Sequence, residues 1–122
     1  MTDSSCILVC VTVQKDCERL IRRGHQESQN HNLPLQVVHV NTGKAILGNP
    51  DTAEALNHLY ALSREFDAEM SILQGSNVIE TLVSHAKQQG ARMIIMGTDR
   101  SGIVHTLSLL LPECQIIACN PA

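Results

Sequence analysis

The feature that most constrains the fold is a series of short apolar runs separated by longer stretches with helical periodicity. The first run, CILVCVTV at residues 6–13, is almost wholly apolar, which is typical of a strand covered on both faces of a sheet. Further strand-like runs occupy residues 35–40, 69–74, 92–96 and 114–119. Because parallel strands need a crossover between them, strands that alternate with helices predict a parallel sheet.

The connections between these runs carry helix signals. Asp16, Asp51 and Asn77 are candidate N-cap residues, since their side chains can accept hydrogen bonds from the first helical turn. Gly90 is expected to end the third helix, and Ile103–Leu110 is predicted to be a short fourth one. The stripes predicted to face the core are, helix by helix, Cys17, Leu20, Ile21, Gly24 and Ser28; Leu56, Leu59, Tyr60, Ser63 and Phe66; and Ile79, Leu82, Val83 and Ala86.

Right-handed crossovers with helices on both faces favour one doubly wound α/β domain over residues 1–122, with a single five-stranded parallel sheet in the order 3-2-1-4-5. In such sheets, ligands bind at the carboxyl ends of the strands that flank the switch point, here the first and the fourth. Thr12 and Val13 end the first strand, His39 ends the second, and the loop at residues 97–102 follows the fourth. These positions are therefore expected to line one crevice.

Composition restricts the partners and the location. The net charge of −3 gives no reason to expect nucleic acid or an anionic membrane as a partner. No apolar run approaches the ~20 residues of a membrane span, and the first residues do not resemble a signal peptide, so a cytoplasmic location is expected. Arg19, Arg22 and Arg23 share one side of the first helix and are expected to form a solvated face. The cysteines have no C-x-x-C spacing and are expected to be buried, reduced thiols: Cys6, Cys10, Cys17, Cys114 and Cys119.

The polar loop GTDRSG at residues 97–102 is the main candidate for a ligand site. A strand that ends in a glycine-containing loop and leads into a helix is where nucleotide-binding folds hold phosphates. The segment after the first strand, TVQKDC, has no glycine, which excludes the phosphate loop of a dinucleotide- or flavin-binding fold. The ends of the first and third strands also lack the acidic residues of a phosphorylation receiver. Thr98, Asp99 and Ser101 can equally serve as turn and N-cap residues, which leaves a simple turn as an open alternative.

The order of elements and the place of this loop after the fourth strand resemble the universal stress protein family, which has an adenine-nucleotide-hydrolase-like fold. The resemblance runs from about Cys6 to Cys119, and IIMGTDRSG is similar to the opening of the family's Gly-x2-Gly-x9-Gly-Ser/Thr motif, which wraps nucleotide phosphates. The segments ILVC and CERLIRRG are more similar still to the stress-protein-like domain of bacterial potassium-sensing histidine kinases. The candidate cofactor-binding residues at the crevice are Thr12, Val13, His39, Gly97, Thr98, Arg100, Ser101 and Gly102.

The chain departs from the family pattern where the phosphates would be held. ATP-binding members usually carry an aspartate near the end of the first strand, where this chain has Thr12. The second motif glycine falls on Arg100, and Gly102 is the last glycine of the chain, so the third motif glycine is missing. Its position would be Leu110 or Pro112, depending on the register, and neither residue lets a helix N-terminus approach a phosphate closely. Tight ATP binding in the family's manner is therefore not expected.

These observations favour a non-enzymatic sensing or signalling module with a degraded nucleotide-binding motif. Its loop is expected to keep a weak anion site, with Thr98 and Ser101 as hydroxyl donors and Arg100 adding charge. The alternative is a protein that binds an adenine nucleotide: ATP, AMP or, as the resemblance to the sensor kinases would allow, a cyclic dinucleotide. An ATP-hydrolysing enzyme is not expected, because the sequence offers no Ser-His-Asp set, no paired carboxylates and no metal-ligand spacing of histidines. His39 is expected to be a hydrogen-bonded structural residue.

The last strand is expected to be an edge of the sheet with unpaired N–H and C=O groups. Its sequence, CQIIAC, is uncharged, and we therefore expect a homodimer in which two copies pair through this strand, as the resemblance also implies. The pairing residues would be Gln115, Ile116, Ile117 and Ala118. A downstream protein partner of unknown identity is expected as well. The loop at residues 41–50 can reach the crevice, and its apolar segment Ala45-Ile46-Leu47 is expected to anchor it.

Overall fold

The computed structural model describes residues 5–11, 17–41, 50–97 and 102–119. Strands and helices alternate along these segments. They are, in chain order, β1 (Cys6–Cys10), α1 (Cys17–His31), β2 (Leu35–Asn41), α2 (Pro50–Glu65), β3 (Glu69–Gln74), α3 (Val78–Gln89), β4 (Ala91–Gly97), α4 (Ile103–Leu110) and β5 (Gln115–Cys119).

The strands of the described chain lie parallel in one five-stranded sheet, in the order β3-β2-β1-β4-β5. β1 is central, since Val9 pairs with Val37 of β2 on one side and with Ile95 of β4 on the other. The chain winds outward from β1 in both directions, so the switch point lies between β1 and β4. The predicted fold class and strand order are confirmed.

Alternate residues of the strands enter two apolar cores, one on each face of the sheet. The core under α1 and α2 contains Ile7, Val9, Val37, Met93 and Ile95 of the sheet with Leu20, Ile21 and Leu59 of the helices. The core under α3 and α4 contains Leu8, Val38 and Ile94 of the sheet with Leu82, Ala86 and Leu107 of the helices. Both faces are therefore covered, which is why the strand sequences are continuous apolar runs.

Gly24 lets α1 lie close to the sheet. A Cβ at this position would lie 2.9 Å from Cδ1 of Leu35 and nearer still to Cγ2 of Val9, whereas ordinary carbon contacts are ~3.5–4.0 Å. Leu20 and Ile21 are buried on the same side of the helix. The predicted inner stripe of α1 is confirmed at these positions.

The predicted caps of α3 are confirmed. The side chain of Asn77 accepts a hydrogen bond from the N–H of Glu80 at 3.1 Å, and Gly90 ends the helix in the left-handed region with φ 67°. α2 begins at Pro50, one residue before the proposed cap Asp51, whose side chain lies outside the described part of the chain. The proline ring fixes φ near a helical value, and the missing N–H is not needed in the first turn.

Some boundaries and faces differ from the predictions. β1 ends at Cys10, where a strand to residue 13 was predicted, and the proposed cap Asp16 lies outside the described residues. Tyr60 was predicted to face the core but is 46% exposed, so that prediction is wrong. Each helical residue advances by about 100°, which turns Tyr60 away from the stripe that contains Leu59, and Leu62 is buried there instead.

Cys6, Cys10, Cys114 and Cys119 are free thiols. Burial raises the pKa of Cys10 to about 12 and that of Cys114 to about 11, so both stay protonated at neutral pH. Burial also raises the pKa of Cys6, whose thiol contacts the carbonyl of Gln89. Cys6 is buried as predicted, whereas Cys10 and Cys114 are half-buried. Within the part of the chain that the structure describes, no helix is long and apolar enough to cross a membrane.

Candidate functional site

The switch point brings together the carboxyl ends of β1 and β4. The described positions at this edge are Val11 after β1, Gly97 at the end of β4 and Gly102 before α4. Most of the loop at residues 41–50 is outside the described segments. The predicted site residues Thr12, Val13, Thr98, Arg100 and Ser101 also lie outside them, and their roles stay predictions.

Gly97 leaves the backbone at the end of β4 uncovered. It pairs with Cys119 of β5, and a Cβ placed on it would meet no atom of the described residues within 4 Å, its chain neighbours aside. Side chains alternate along a strand, so this open side is the one on which Ile95 enters the core under α1. A ligand can therefore approach the main chain of β4 from the α1 side of the sheet.

Gly102 is the N-cap residue of α4. Its φ of 77° and ψ of 17° are left-handed, a conformation that residues with a Cβ rarely adopt. Its carbonyl accepts hydrogen bonds from the N–H and the hydroxyl of Thr106, at 3.0 and 3.1 Å. A glycine has no side chain to cap the first turn; the alternative in which Thr98, Asp99 and Ser101 are only turn and cap residues lies outside the described residues and stays open. The N–H groups at the start of α4 and the helix dipole favour an anion there.

His39 holds the end of β1 against β2. The ring is buried, and Nδ1 lies 3.1 Å from the carbonyl oxygen of Val11. Because a carbonyl oxygen only accepts, Nδ1 carries the proton and donates it. The N–H of Val11 in turn donates to the carbonyl of Val38 at 2.9 Å. The predicted structural hydrogen bond of His39 is present, whereas a role in ligand binding stays a prediction.

The basic cluster on α1 borders a groove rather than solvent alone. The groove has a volume of about 470 Å³ and is lined by Arg19, Arg22, Arg23 and Gln26 of α1 and by Ala118 and Cys119 of β5. We call it the arginine groove. Arg22 and Arg23 are paired with Glu18 and Glu27, at nitrogen–oxygen distances of 2.9 and 3.1 Å. Arg22 and Arg23 are exposed, as expected of a solvated face, whereas Arg19 is half-buried.

A polar pair beneath α3 was not predicted. Gln36 is buried in β2, and its side-chain oxygen accepts a hydrogen bond from Nε2 of His85 on α3. Burial lowers the pKa of His85 below its usual value, while the nearby carboxylate of Glu69 opposes this shift. The sequence contained one signal for this pair, a glutamine inside an otherwise apolar run. A buried amide needs a hydrogen-bond partner, so a polar residue on a neighbouring helix could have been predicted.

No family model matches the sequence. Two curated relatives, both named sensor protein KdpD and both from Mycobacterium tuberculosis, are 29% identical over 94 residues. The match covers 77% of this chain and 11% of the relative, so the chain spans about a tenth of the length of the proteins that it matches.

Solved structures cover the chain more fully. A universal stress protein from Archaeoglobus fulgidus, in complex with dAMP, gives a TM-score of 0.71 at 22% identity and covers 93% of this chain and 96% of its own. A member of that family from Burkholderia pseudomallei gives 0.71 at 19% identity and covers 98% and 96%. A universal stress protein in complex with cAMP gives 0.73 at 13% identity and covers 97% and 98%. The chain has the universal stress protein fold, and the resemblance noted in the sequence is confirmed at the level of the fold.

Proposed function

We propose that this chain is a non-enzymatic sensing or signalling module whose degraded nucleotide-binding motif keeps only a weak affinity for an adenine nucleotide. One observation carries the proposal: the uncovered backbone at Gly97 is followed by the left-handed Gly102 and the start of α4. Together they offer N–H groups, a helix dipole and open space to a phosphate. The name of the curated relatives, sensor protein, supports a sensing role.

The weakness of the site follows from where α4 lies. A third motif glycine would stand at Leu110 or Pro112, which are the last residue of α4 and a position just beyond its end. Neither place begins a helix that could close over the phosphates. With one wall instead of two, we expect a dissociation constant for AMP of about 1 mM, which corresponds to ~4 kcal/mol.

A second candidate function is dedicated binding of an adenine nucleotide. It is supported by the solved neighbours, of which the Archaeoglobus fulgidus protein is in complex with dAMP and another universal stress protein is in complex with cAMP. Both candidates use the same crevice and differ in affinity. Dedicated binding requires a dissociation constant low enough for the nucleotide to stay bound at micromolar protein concentrations.

Titration of AMP into isotope-labelled protein tests the proposal. The amide signals of Gly97 and Gly102 are expected to shift before others, with a midpoint of about 1 mM. Gly97→Val is the matched variant, because a Cβ at this position meets no atom of the described residues within 4 Å and the larger side chain is expected to block the approach to β4. It is expected to keep the stability and lose the binding. Fixed amides at Gly97 and Gly102 in the wild type would show that the loop is only a turn, and phosphate release from ATP would contradict the non-enzymatic part.

We also propose that two copies pair through β5. This strand is an edge of the described sheet, and beside it α4 exposes Leu109 by 67% and Leu110 by 48%. Unpaired main-chain groups next to exposed leucines favour association. A downstream protein partner and a cytoplasmic location belong to the same proposal; the free thiols of the described cysteines support the location, because disulfides form mainly in oxidising compartments.

A further inference from the structure

β3 is the edge of the described sheet that lies opposite β5, and one of its faces is only partly covered. α2 packs on β3 from one side, whereas α3, on the other side, packs on β2 and β4. A groove of about 370 Å³ therefore lies between β3 and α3. Leu73 and Gln74 of β3 form one wall, and Glu80, Ser84 and His85 of α3 belong to the other. We call it the β3 groove.

Three alternate residues of β3 form the face of the strand toward this groove. Leu73 packs against the core under α3 and α4, and side chains alternate along a strand, so Glu69 and Ser71 point to the same side. Glu69 begins the row beside Gln36, its partner in the pairing of β2 with β3, and Gln36 accepts the hydrogen bond from His85. The row thus has a carboxylate at one end and an apolar side chain four residues further on.

The charge on this side of β3 is negative. Glu80 lines the groove, and among the described residues no lysine or arginine does so. Burial lowers the pKa of His85, and the nearby carboxylate of Glu69 opposes that shift without reversing it, so the ring is neutral at neutral pH. It therefore does not balance the charge of Glu69, which is exposed. A cationic side chain is the complement of this surface.

The main chain of β3 also offers hydrogen-bonding groups. An edge strand directs a row of N–H and C=O groups away from its neighbour, and within the described chain no strand pairs with the outer side of β3. An extended segment can add to such an edge, with main-chain hydrogen bonds for affinity and side-chain pairs for specificity. It would lie about 4.8 Å beyond β3, and its alternate side chains would stand beside Glu69, Ser71 and Leu73.

We infer that β3 is a docking site for an extended segment of a partner protein, which adds to the sheet as a further strand and carries a lysine or arginine four residues from an apolar side chain. The basic side chain stands beside Glu69 and the apolar one beside Leu73, because opposite charges and apolar pairs stabilise neighbouring strands. The inference rests on the proposed signalling function, for which it names the surface and the chemistry of the downstream partner. It uses neither the crevice at Gly97 nor the edge at β5.

The probe is an acetylated and amidated nine-residue peptide with lysine at both ends, valine in the centre and threonine elsewhere. Lysine then lies four residues from valine in either direction, so the peptide fits a parallel and an antiparallel strand. A second peptide has glutamate in place of both lysines. Titrated into isotope-labelled protein at neutral pH, the lysine peptide is expected to shift the amides of residues 69–74 with a dissociation constant of about 1 mM. The glutamate peptide is expected to bind about fivefold more weakly or worse.

Two changes separate the contributions of charge and main chain. Glu69→Gln replaces an exposed carboxylate with a neutral side chain of similar size and is expected to reduce the preference for the lysine peptide to below about twofold. Glu113→Gln, at an exposed glutamate beside β5, is the matched control and should keep the preference. A lysine peptide in which every threonine is N-methylated has lost most of its main-chain donors and is expected not to bind. Binding of this methylated peptide would show that charge alone attracts the segment and would overturn strand addition.

The position of the amide shifts distinguishes this inference from the proposed nucleotide site. AMP is expected to act at Gly97 and Gly102, and the peptide at residues 69–74. If the peptide binds as predicted while AMP shifts no amide, the docking site stands and the nucleotide-binding part of the proposed function fails. If the lysine peptide leaves residues 69–74 unchanged up to about 10 mM, if the glutamate peptide binds equally well, or if Glu69→Gln keeps the preference, the inference is wrong.

Discussion

Replacing Gly24 with alanine tests the close packing of α1 on the sheet. The new Cβ would lie 2.9 Å from Cδ1 of Leu35 and closer still to Cγ2 of Val9, and both side chains are buried among close-packed neighbours. Overpacking of this kind costs about 1–3 kcal/mol, whereas alanine gains about 1 kcal/mol of helix propensity over glycine. Because the overlap with Val9 is severe, we expect the cost to exceed the gain and Gly24→Ala to lower the free energy of unfolding by about 1–2 kcal/mol.

Gly97→Ala is the matched control, because the Cβ meets no atom within 4 Å there among the residues that the structure describes. It is expected to change the free energy of unfolding by less than about 0.5 kcal/mol. Urea unfolding followed by circular dichroism measures both variants. The double variant Val9→Ala/Gly24→Ala removes Cγ2 from the clash, and we expect the two changes to be coupled by about 1 kcal/mol. If Gly24→Ala is more stable than the wild type, as helix propensity alone would predict, then α1 does not pack as closely on the sheet as the structure shows.

Asn77→Ala removes the acceptor for the Glu80 N–H and is expected to lower the free energy of unfolding by about 1 kcal/mol; an unchanged urea midpoint would contradict the cap. His85 has a lowered pKa in the folded protein, so as the pH falls the unfolded state binds the proton before the folded state does. The free energy of unfolding is therefore expected to be highest above the ordinary histidine pKa of ~6.5 and to decrease as the pH falls toward the folded pKa. His85→Gln keeps an amide N–H that can donate to Gln36 and is expected to make the free energy of unfolding, measured with urea, less dependent on pH. The same pH dependence in the variant and the wild type would contradict this role of His85. Sedimentation at tens of micromolar is expected to show a homodimer, and a monomer would rule out stable pairing through β5.

The fold could be predicted because its signals are local and repeat along the chain. The run at residues 35–40 indicates a strand buried on both faces, and right-handed crossovers then restrict the strand order. The cap at Asn77 and the end at Gly90 were predictable because each acts within one helical turn. The start of α2 was not, since Pro50 and Asp51 both favour a helix beginning and the sequence does not rank them.

The surroundings of the candidate site depend on positions far apart in the sequence. The position of the crevice follows from the strand order, but the sequence does not predict the open space at Gly97 or the left-handed conformation of Gly102. The arginine groove joins Arg19 to Cys119, and no local pattern shows that β5 lies beside α1. Likewise, the apolar pattern of β2 predicts that Gln36 is buried, but it does not predict that His85 of α3 is its hydrogen-bond partner.

The nucleotide content of the purified protein tests the central claim most directly. The crevice has open space at Gly97 and a left-handed Gly102, where we propose that a phosphate binds, while Leu110 ends α4 instead of beginning a helix that could close the site. A ligand held at millimolar or somewhat tighter affinity is lost during purification, so mass spectrometry after denaturation is expected to find no adenine nucleotide in stoichiometric amount. Release of ATP, AMP or a dinucleotide at close to one molecule per chain would contradict this expectation and establish a tight site.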